Sequence, residues 1–119
     1  MLANKYRFHG HGSLRYVYAK GTVTRSKYFL CKTTSNRRRN EPRVAVVISK
    51  KILKSAVKRN RVRRRMYEAI RLELPVINPS CDIVFIVISP ELLTATPENL
   101  KAALTSCLAS ADLYNQPES

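Results

Sequence analysis

The fold is decided by residues 43–74, which read RVAVVISKKILKSAVKRNRVRRRMYEAIRLEL. The segment opens with branched apolar residues over 43–49, a composition that predicts a central, buried strand. From about residue 55 to residue 74 nothing interrupts a helix before Pro75, and the composition favours one. The segment therefore predicts a buried strand followed by a long helix.

The long helix has two contrasting faces at about 100° per residue. The apolar face is predicted to lie against the sheet and carries Val62, Met66, Ala69 and Ile70. The opposite face is predicted to meet solvent or a ligand and carries Asn60, Arg64, Tyr67 and Arg71. The flanks carry the remaining cations, which are Lys58, Arg61 and Arg65 on one side and Arg59 and Arg63 on the other. Since an arginine fork can hold two phosphate oxygens, this density of arginine indicates a polyanionic partner.

The charge of the whole chain supports that partner. The 119 residues carry a net charge of +14, and 21 of the 22 Lys and Arg lie in residues 1–71 with only two of the eight acids. A concentrated positive surface favours nucleic acid first and an anionic membrane surface second. The apolar share of 45% suits one domain with a real core, and the longest apolar run, residues 83–88, is too short to cross a membrane.

The remaining segments predict a compact α+β domain in the order α-β-β-α-β-α. We expect a short helix over residues 12–19 that ends at Gly21, a strand over 28–31, a hairpin loop over 33–42 and a second buried strand over 82–89. Thr96 and Pro97 predict the start of the last helix. Its apolar stripe comprises Leu100, Ala103, Leu104, Cys107, Leu108 and Ala111. Residues 1–11 are expected to form a flexible segment, residues 12–113 the domain and residues 114–119 a tail.

Two groups of residues could carry chemistry of their own. His9 and His11 could act as acid and base, but no carboxylate lies near them in sequence to orient them, so no catalytic residue is expected. Cys31, Cys81 and Cys107 lie far apart within apolar segments, which indicates core thiols of a reduced, cytoplasmic protein rather than a zinc site. Asn60 could order a phosphate, a 2′-hydroxyl or a metal-bound water, or be a plain polar helix residue.

Several of these stretches together resemble the bacterial ribonuclease P protein subunit. The resemblance rests on Ser49-Lys50-Lys51 at a strand end, on the helix segment Arg59-Asn60-Arg61 with Arg63 and Arg64, and on Glu68 further along that helix. A first helix with aromatic residues that ends at Gly21 also fits, so roughly residues 12–113 are covered.

The resemblance implies a specific role and architecture. Such a subunit joins a large catalytic RNA to form the endonuclease that removes the 5′ leader of precursor tRNA, and the RNA carries the chemistry with bound Mg²⁺. It implies a mixed four-stranded sheet with three helices and a left-handed β-α-β crossover, against the usual rule. It implies no membrane partner and no small-molecule substrate.

The resemblance also assigns residues to two surfaces. The surface for the catalytic RNA would comprise Lys50, Lys51, Lys58, Arg59, Asn60, Arg61, Arg63, Arg64 and Arg71. The leader cleft, between the first helix and the sheet, would comprise Leu14, Tyr18, Lys32 and Tyr67. Leu14 and Lys32 stand where the family often has aromatic residues, so stacking there would be reduced.

Two alternatives remain open at the level of sequence. A structural RNA-binding module such as a ribosomal protein would explain the charge, although not the ordered Lys-Lys and Arg-Asn-Arg pattern. A binder of double-stranded DNA is disfavoured because no helix-turn-helix is visible. Residues 37–39, three consecutive arginines, either add to the RNA surface or form a solvated loop tip.

Overall fold

The computed structural model describes Tyr6, Phe8 and residues 12–36 and 41–114. Over this part of the chain it contains three α-helices and one four-stranded mixed sheet, which confirms the predicted α+β class. In chain order the elements are α1 (Gly12–Lys20), β1 (Thr22–Arg25), β2 (Phe29–Ser35), β3 (Arg43–Val47), α2 (Ala56–Glu73), β4 (Cys81–Val87) and α3 (Pro97–Ser110).

The sheet has the strand order β1-β2-β4-β3. Its centre is β4, which pairs antiparallel with β2 and parallel with β3, and six of its seven residues are buried. The prediction that residues 43–49 form a central strand was therefore wrong. β3 is an edge strand whose side chains alternate between buried and half-buried, because only one of its faces lies against the helices. α2 connects the parallel pair β3 and β4, and the left hand of that crossover stays a prediction.

The predicted hairpin loop over residues 33–42 was also wrong. Residues 33–35 extend β2 and pair with residues 81–83 of β4, and β3 lies on the far side of β4 rather than beside β2. The neighbour of β2 on its other side is β1, a strand that the sequence reading did not place along the chain. Ser26 shapes the turn between them: its hydroxyl donates to the Phe29 carbonyl at 3.1 Å, while Tyr28 lies just before β2.

The main core lies between one face of the sheet and the pair α2 and α3. α2 buries Val62, Met66 and Ile70 there, as its apolar face predicts. At its centre the rings of Phe29 and Phe85 meet edge to face, with centroids 5.4 Å apart. The predicted cap of α3 is present, since the Thr96 hydroxyl accepts from a backbone N–H of its first turn, and the Ser55 hydroxyl caps α2 in the same way.

The opposite face of the sheet is covered only in part. α1 packs on it, and Val17 of α1 and Val84 of β4 are fully buried there. The strand register places Lys32 beside Val84 and Leu30 beside Ile86 on this same face, where they are half-buried. The sheet surface beside α1 is therefore partly exposed.

The predicted terminal segments lie largely outside the described residues. Within residues 1–11, Tyr6 packs against the core and the Phe8 ring lies 4.9 Å from the Arg43 guanidinium carbon. At the other end, Tyr114 forms a β-bridge with Ile77, and its hydroxyl donates to Glu73 at 3.3 Å. The packed part of the chain thus includes Tyr114.

Candidate nucleic-acid interface

The solvent side of α2 carries a row of cations that the protein itself does not neutralise. Lys58, Arg61 and Arg64 are exposed, and their side chains make no hydrogen bond or ion pair with any described residue. The other polar side chains of this face pair among themselves: Arg63 donates to the Asn60 side-chain oxygen at 2.7 Å, and Arg71 forms an ion pair with Glu68 at 2.5 Å. The pair holds the pKa of the Glu68 carboxyl below its usual value, through the hydrogen bond from Arg71 and its charge.

Two arginines of the same helix point inward instead. Arg59, predicted to bind RNA, donates to the carbonyls of Leu53 and Lys54, both at 2.8 Å. Arg65 donates to the carbonyls of Leu92 at 3.2 Å and Leu93 at 2.6 Å, and also to that of Ala95. Their guanidinium groups hold loops in place, so they contribute charge to the surface but fewer free donors than the exposed arginines.

The contacts of Arg59 organise the approach to α2. They fix the segment that follows Lys50 and Lys51, both exposed in the turn after β3. That turn is closed by the Ile52 and Leu53 N–H groups, which donate to the Ser49 carbonyl. The first turn of α2 contains no acid, so the positive end of the helix dipole adds to the charge of the nearby lysines. The start of α2 is thus suited to bind a phosphate.

On the opposite face of the sheet, three of the four residues predicted to form the leader cleft lie together. The Lys32 ammonium donates to the Tyr18 carbonyl at 3.1 Å and lies 5.1 Å from the centroid of the Tyr18 ring. Leu14 lies one turn before Tyr18 and is half-buried. Burial raises the pKa of the Tyr18 phenol, whose side chain still remains 36% exposed. Together they form a wall with aliphatic, aromatic and cationic surface.

Gly21 sets the position of α1 relative to this wall. A Cβ at Gly21 would lie 2.4 Å from the Val17 carbonyl oxygen and 3.3 Å from the Cβ of Lys32. Only glycine permits so close an approach without moving backbone. The residue therefore lets α1 turn directly into β1 while Tyr18 stays within reach of Lys32.

Tyr67, the fourth residue predicted for the cleft, is not part of it. It is half-buried against the core on the α2 side of the sheet, and its hydroxyl accepts from the Val46 N–H at 3.3 Å. Since β3 is an edge strand, this N–H would otherwise have no partner in the sheet. The prediction that Tyr67 meets solvent or a ligand was therefore wrong, because its side chain packs against the core and its hydroxyl bonds to the β3 backbone.

A buried ion pair fixes the edge strand at the other end of the cleft. Asp82 is 4% exposed and accepts from Arg43 at 2.9 and 2.8 Å and from the Asn36 amide at 3.0 Å. Sequence reading missed this cluster, although an acid at the start of an otherwise apolar strand is a usable signal. The cluster joins the beginnings of β3 and β4.

The other groups singled out from the sequence contribute less. His9, His11 and the arginines at 37–39 lie outside the described residues. Burial raises the pKa of Cys81 to about 12, and the hydrogen bond with Cys107, together with burial, raises the pKa of Cys31. Within residues 12–36 and 41–114, no helix is long and apolar enough to cross a membrane, and no three side chains of His, Cys, Asp or Glu gather as metal ligands.

Comparison with known proteins identifies the family. The family model described as Ribonuclease P matches residues 2–112. The chain belongs to the ribonuclease P protein family. The ribonuclease P protein component of Chloroflexus aurantiacus is 34% identical over 112 residues, which cover 94% of this chain and 82% of that protein. That of Chloroflexus aggregans is 37% identical over 95 residues, which cover 80% and 70%.

Solved structures of ribonuclease P proteins share the fold. The Staphylococcus aureus RNase P protein superposes with a TM-score of 0.80 at 24% identity, covering 92% of this chain and 98% of that one. The Thermotoga maritima RNase P protein gives 0.77 at 22%, covering 87% and 96%. Membership in the ribonuclease P family makes this chain an RNA-binding component of the tRNA-processing ribonucleoprotein and decides against the ribosomal and DNA-binding alternatives.

Proposed function

We propose that the protein uses opposite sides of its sheet for two different RNAs. The α2 side would bind the catalytic RNA of ribonuclease P, and the cleft beside α1 would bind the single-stranded 5′ leader of precursor tRNA. The observation that carries the proposal is the set of exposed cations along α2, Lys58, Arg61 and Arg64, which bond to no described residue and lie outside the buried stripe of Val62, Met66 and Ile70. The expected place of action is the cytoplasm.

Electrostatics and geometry support the contact between α2 and RNA. Lys58, Arg61 and Arg64 follow one another at intervals of three residues, so their Cα atoms rise by about 4.5 Å from one to the next. Cations at this spacing repel one another in the free protein, and phosphates relieve that repulsion. The two arginines can each hold two oxygens of one phosphate, because neither guanidinium bonds to a residue that the structure describes.

The composition of the cleft supports a single-stranded ligand. Tyr18 offers an aromatic ring for one base, Lys32 offers charge to the backbone, and Leu30 and Ile86 provide an apolar floor. Such a mixture binds unpaired nucleotides with little dependence on sequence, because every base has a face that can stack. A leader that varies between tRNA precursors requires this kind of contact.

We place the chemistry in the RNA, with Mg²⁺ held mainly by RNA phosphates. Asp82, the one buried acid among the described residues, is already bonded to Arg43 and Asn36 and fits a structural role. The cations of the protein would offset phosphate repulsion where substrate and catalytic RNA meet. The protein should therefore lower the Mg²⁺ concentration that cleavage requires and bind less tightly as salt rises.

The test is cleavage of precursor tRNA by a bacterial ribonuclease P RNA at low Mg²⁺, with and without the protein. We expect protein-dependent cleavage at the mature 5′ end and none by the protein alone. Arg64→Ala should weaken binding to the catalytic RNA by roughly 1–3 kcal/mol. Lys27→Ala is the matched control, because it removes one exposed cation from the turn between β1 and β2. Equal affinity of the two variants would remove the basis for assigning α2.

A second arm addresses the cleft. Tyr18→Ala should reduce affinity for precursor tRNA that carries a leader and leave affinity for mature tRNA unchanged. If both substrates lose affinity equally, or neither does, the leader does not occupy the cleft.

A further inference from the structure

A polar pocket of about 450 Å³ lies on the flank of α1 that faces away from the leader cleft. Tyr16 and Lys20 of α1 line one side of it. At about 100° per residue they lie close together on the helix, and Tyr16 is about 160° from Tyr18. The pocket is therefore separate from the cleft, and the Tyr16 side chain at its rim is 59% exposed.

The floor of the pocket is an open edge of the sheet. β1 begins at Thr22, which pairs with Thr33, whereas β2 continues to Ser35. The Asn36 N–H donates to the Ser80 carbonyl, so the backbone groups of Asn36 point toward β4. Because successive residues of a strand direct their N–H and C=O groups to opposite sides, those of Ser35 point away from β4, beyond the end of β1. The edge of β2 thus offers a donor and an acceptor next to the pocket.

Two side-chain hydroxyls in the wall of the pocket lack partners. Thr33 Oγ1 and Thr34 Oγ1 are buried, and neither makes a hydrogen bond to any described residue. A buried hydroxyl without a partner destabilises the fold, because it loses its hydrogen bonds to water and gains none in the protein. A change of χ1 rotamer would direct the Thr34 hydroxyl at a ligand in the pocket, so binding could recover part of the lost stability.

We propose that this pocket binds one nucleotide of single-stranded RNA, with the base stacked on Tyr16 and the ribose hydroxyls bonded to Thr34 and Ser35. Half of the lining residues carry a hydroxyl, and the charged residues of the lining are one lysine, Lys20, and one aspartate, Asp112. Such a balance suits a sugar and a base better than a bare phosphate. The inference rests on the proposed function in so far as RNA is the ligand, and it adds a second RNA contact to the leader cleft.

The experiment is an NMR titration of the full chain with a short oligouridylate and with its 2′-deoxy counterpart. Saturable shifts of the Thr34 and Ser35 amides that are stronger with the ribose form are expected, because the pocket would recognise the 2′-hydroxyl. Tyr16→Ala should weaken binding at these amides roughly tenfold or more through loss of one stacked base, while Tyr16→Phe should retain it. Unmoved pocket amides with both oligonucleotides, or equal affinity of the Ala and Phe variants, would overturn the proposal.

Thr34→Val separates a binding role from a structural one. Because the hydroxyl has no partner among the described residues, its removal should leave the free energy of unfolding unchanged or raise it, yet weaken binding of the ribose oligonucleotide at the pocket. A variant that is destabilised but binds normally would contradict the assignment. Tyr18→Ala, read at the amides around Lys32, tests the leader cleft independently, so the failure of either site is recognised without the other.

Discussion

Arg65→Ala should destabilise the fold far more than it weakens RNA binding. Its guanidinium donates to three carbonyls in the segment between β4 and α3, those of Leu92, Leu93 and Ala95. Hydrogen bonds to a charged group contribute about 1.5–3 kcal/mol each, and water can replace part of them because Arg65 is half-buried. We expect a total loss of about 2–4 kcal/mol in the free energy of unfolding.

Arg64→Ala is the matched control. It removes the same charge from the neighbouring position, so both variants relieve the same repulsion between cations, but Arg64 has no bond to the described part of the protein. In urea unfolding followed by circular dichroism, a slope of about 1.5 kcal/mol/M turns the expected loss into a midpoint lower by about 1.3–2.7 M for Arg65→Ala only. Filter binding should show the larger loss of RNA affinity for Arg64→Ala. Equal midpoints would refute the reasoning that the Arg65 contacts hold this segment.

Three further predictions concern the sheet and the C-terminal segment. Arg43→Ala should lower the free energy of unfolding by about 3–5 kcal/mol, because it leaves the buried Asp82 carboxylate without its ion-pair partner. Urea unfolding at neutral pH measures this loss, and a loss under about 1 kcal/mol would contradict the prediction. Tyr67→Phe should lower the free energy of unfolding by about 1 kcal/mol, because it removes the hydrogen bond to the β3 backbone. RNA affinity in filter binding should stay unchanged, and a selective loss of that affinity would show that Tyr67 contacts RNA. Burial, and then Glu73, raises the pKa of Tyr114 to about 12, so its contribution to stability is complete below pH 10 and is lost as pH rises through about 12. The free energy of unfolding of the wild type should therefore fall more steeply between pH 10 and 12 than that of Tyr114→Phe, and equal slopes would show that the phenol titrates alike in both states.

The sequence predicted the helices well because their ends are determined locally. Ser55 caps α2 and Pro75 follows its last turn, while Thr96 and Pro97 define the start of α3. These signals act over a few residues and do not depend on tertiary contacts. The buried stripe of α2 was predictable for the same reason, since one amphipathic period fixes which side chains face the sheet.

The sheet was harder to predict because strand neighbours are set by long-range pairing. The apolar run of β3 suggested a central strand, but the central position belongs to β4, and no local pattern distinguishes the two. β1 is only four residues long and polar, so it gave no period-two signal. Its existence depends on the edge that β2 offers.

Residue type was also an incomplete guide to the interface. A guanidinium that donates to phosphate and one that donates to a carbonyl are alike in sequence, and so Arg59 could not be told apart from Arg64. The two arginines differ because Arg59 contacts the carbonyls of a loop, and the positions of those carbonyls depend on the folded chain. For Tyr67, likewise, the partner is the backbone of β3, which only the edge position of that strand leaves free.

The late position of β4 in the chain constrains how the protein folds during synthesis. β3 pairs only with β4, and β2 pairs with β4 on the side away from β1, so the four-stranded sheet cannot be completed until residues 81–87 have left the ribosome. By then all of α2 has emerged, with Val62, Met66 and Ile70 still lacking a sheet to cover them. Contacts between segments so distant in sequence form slowly and cooperatively. The four-stranded sheet of a nascent chain should therefore stay incomplete until β4 inserts, and the two covered faces of the sheet should then form in a single step.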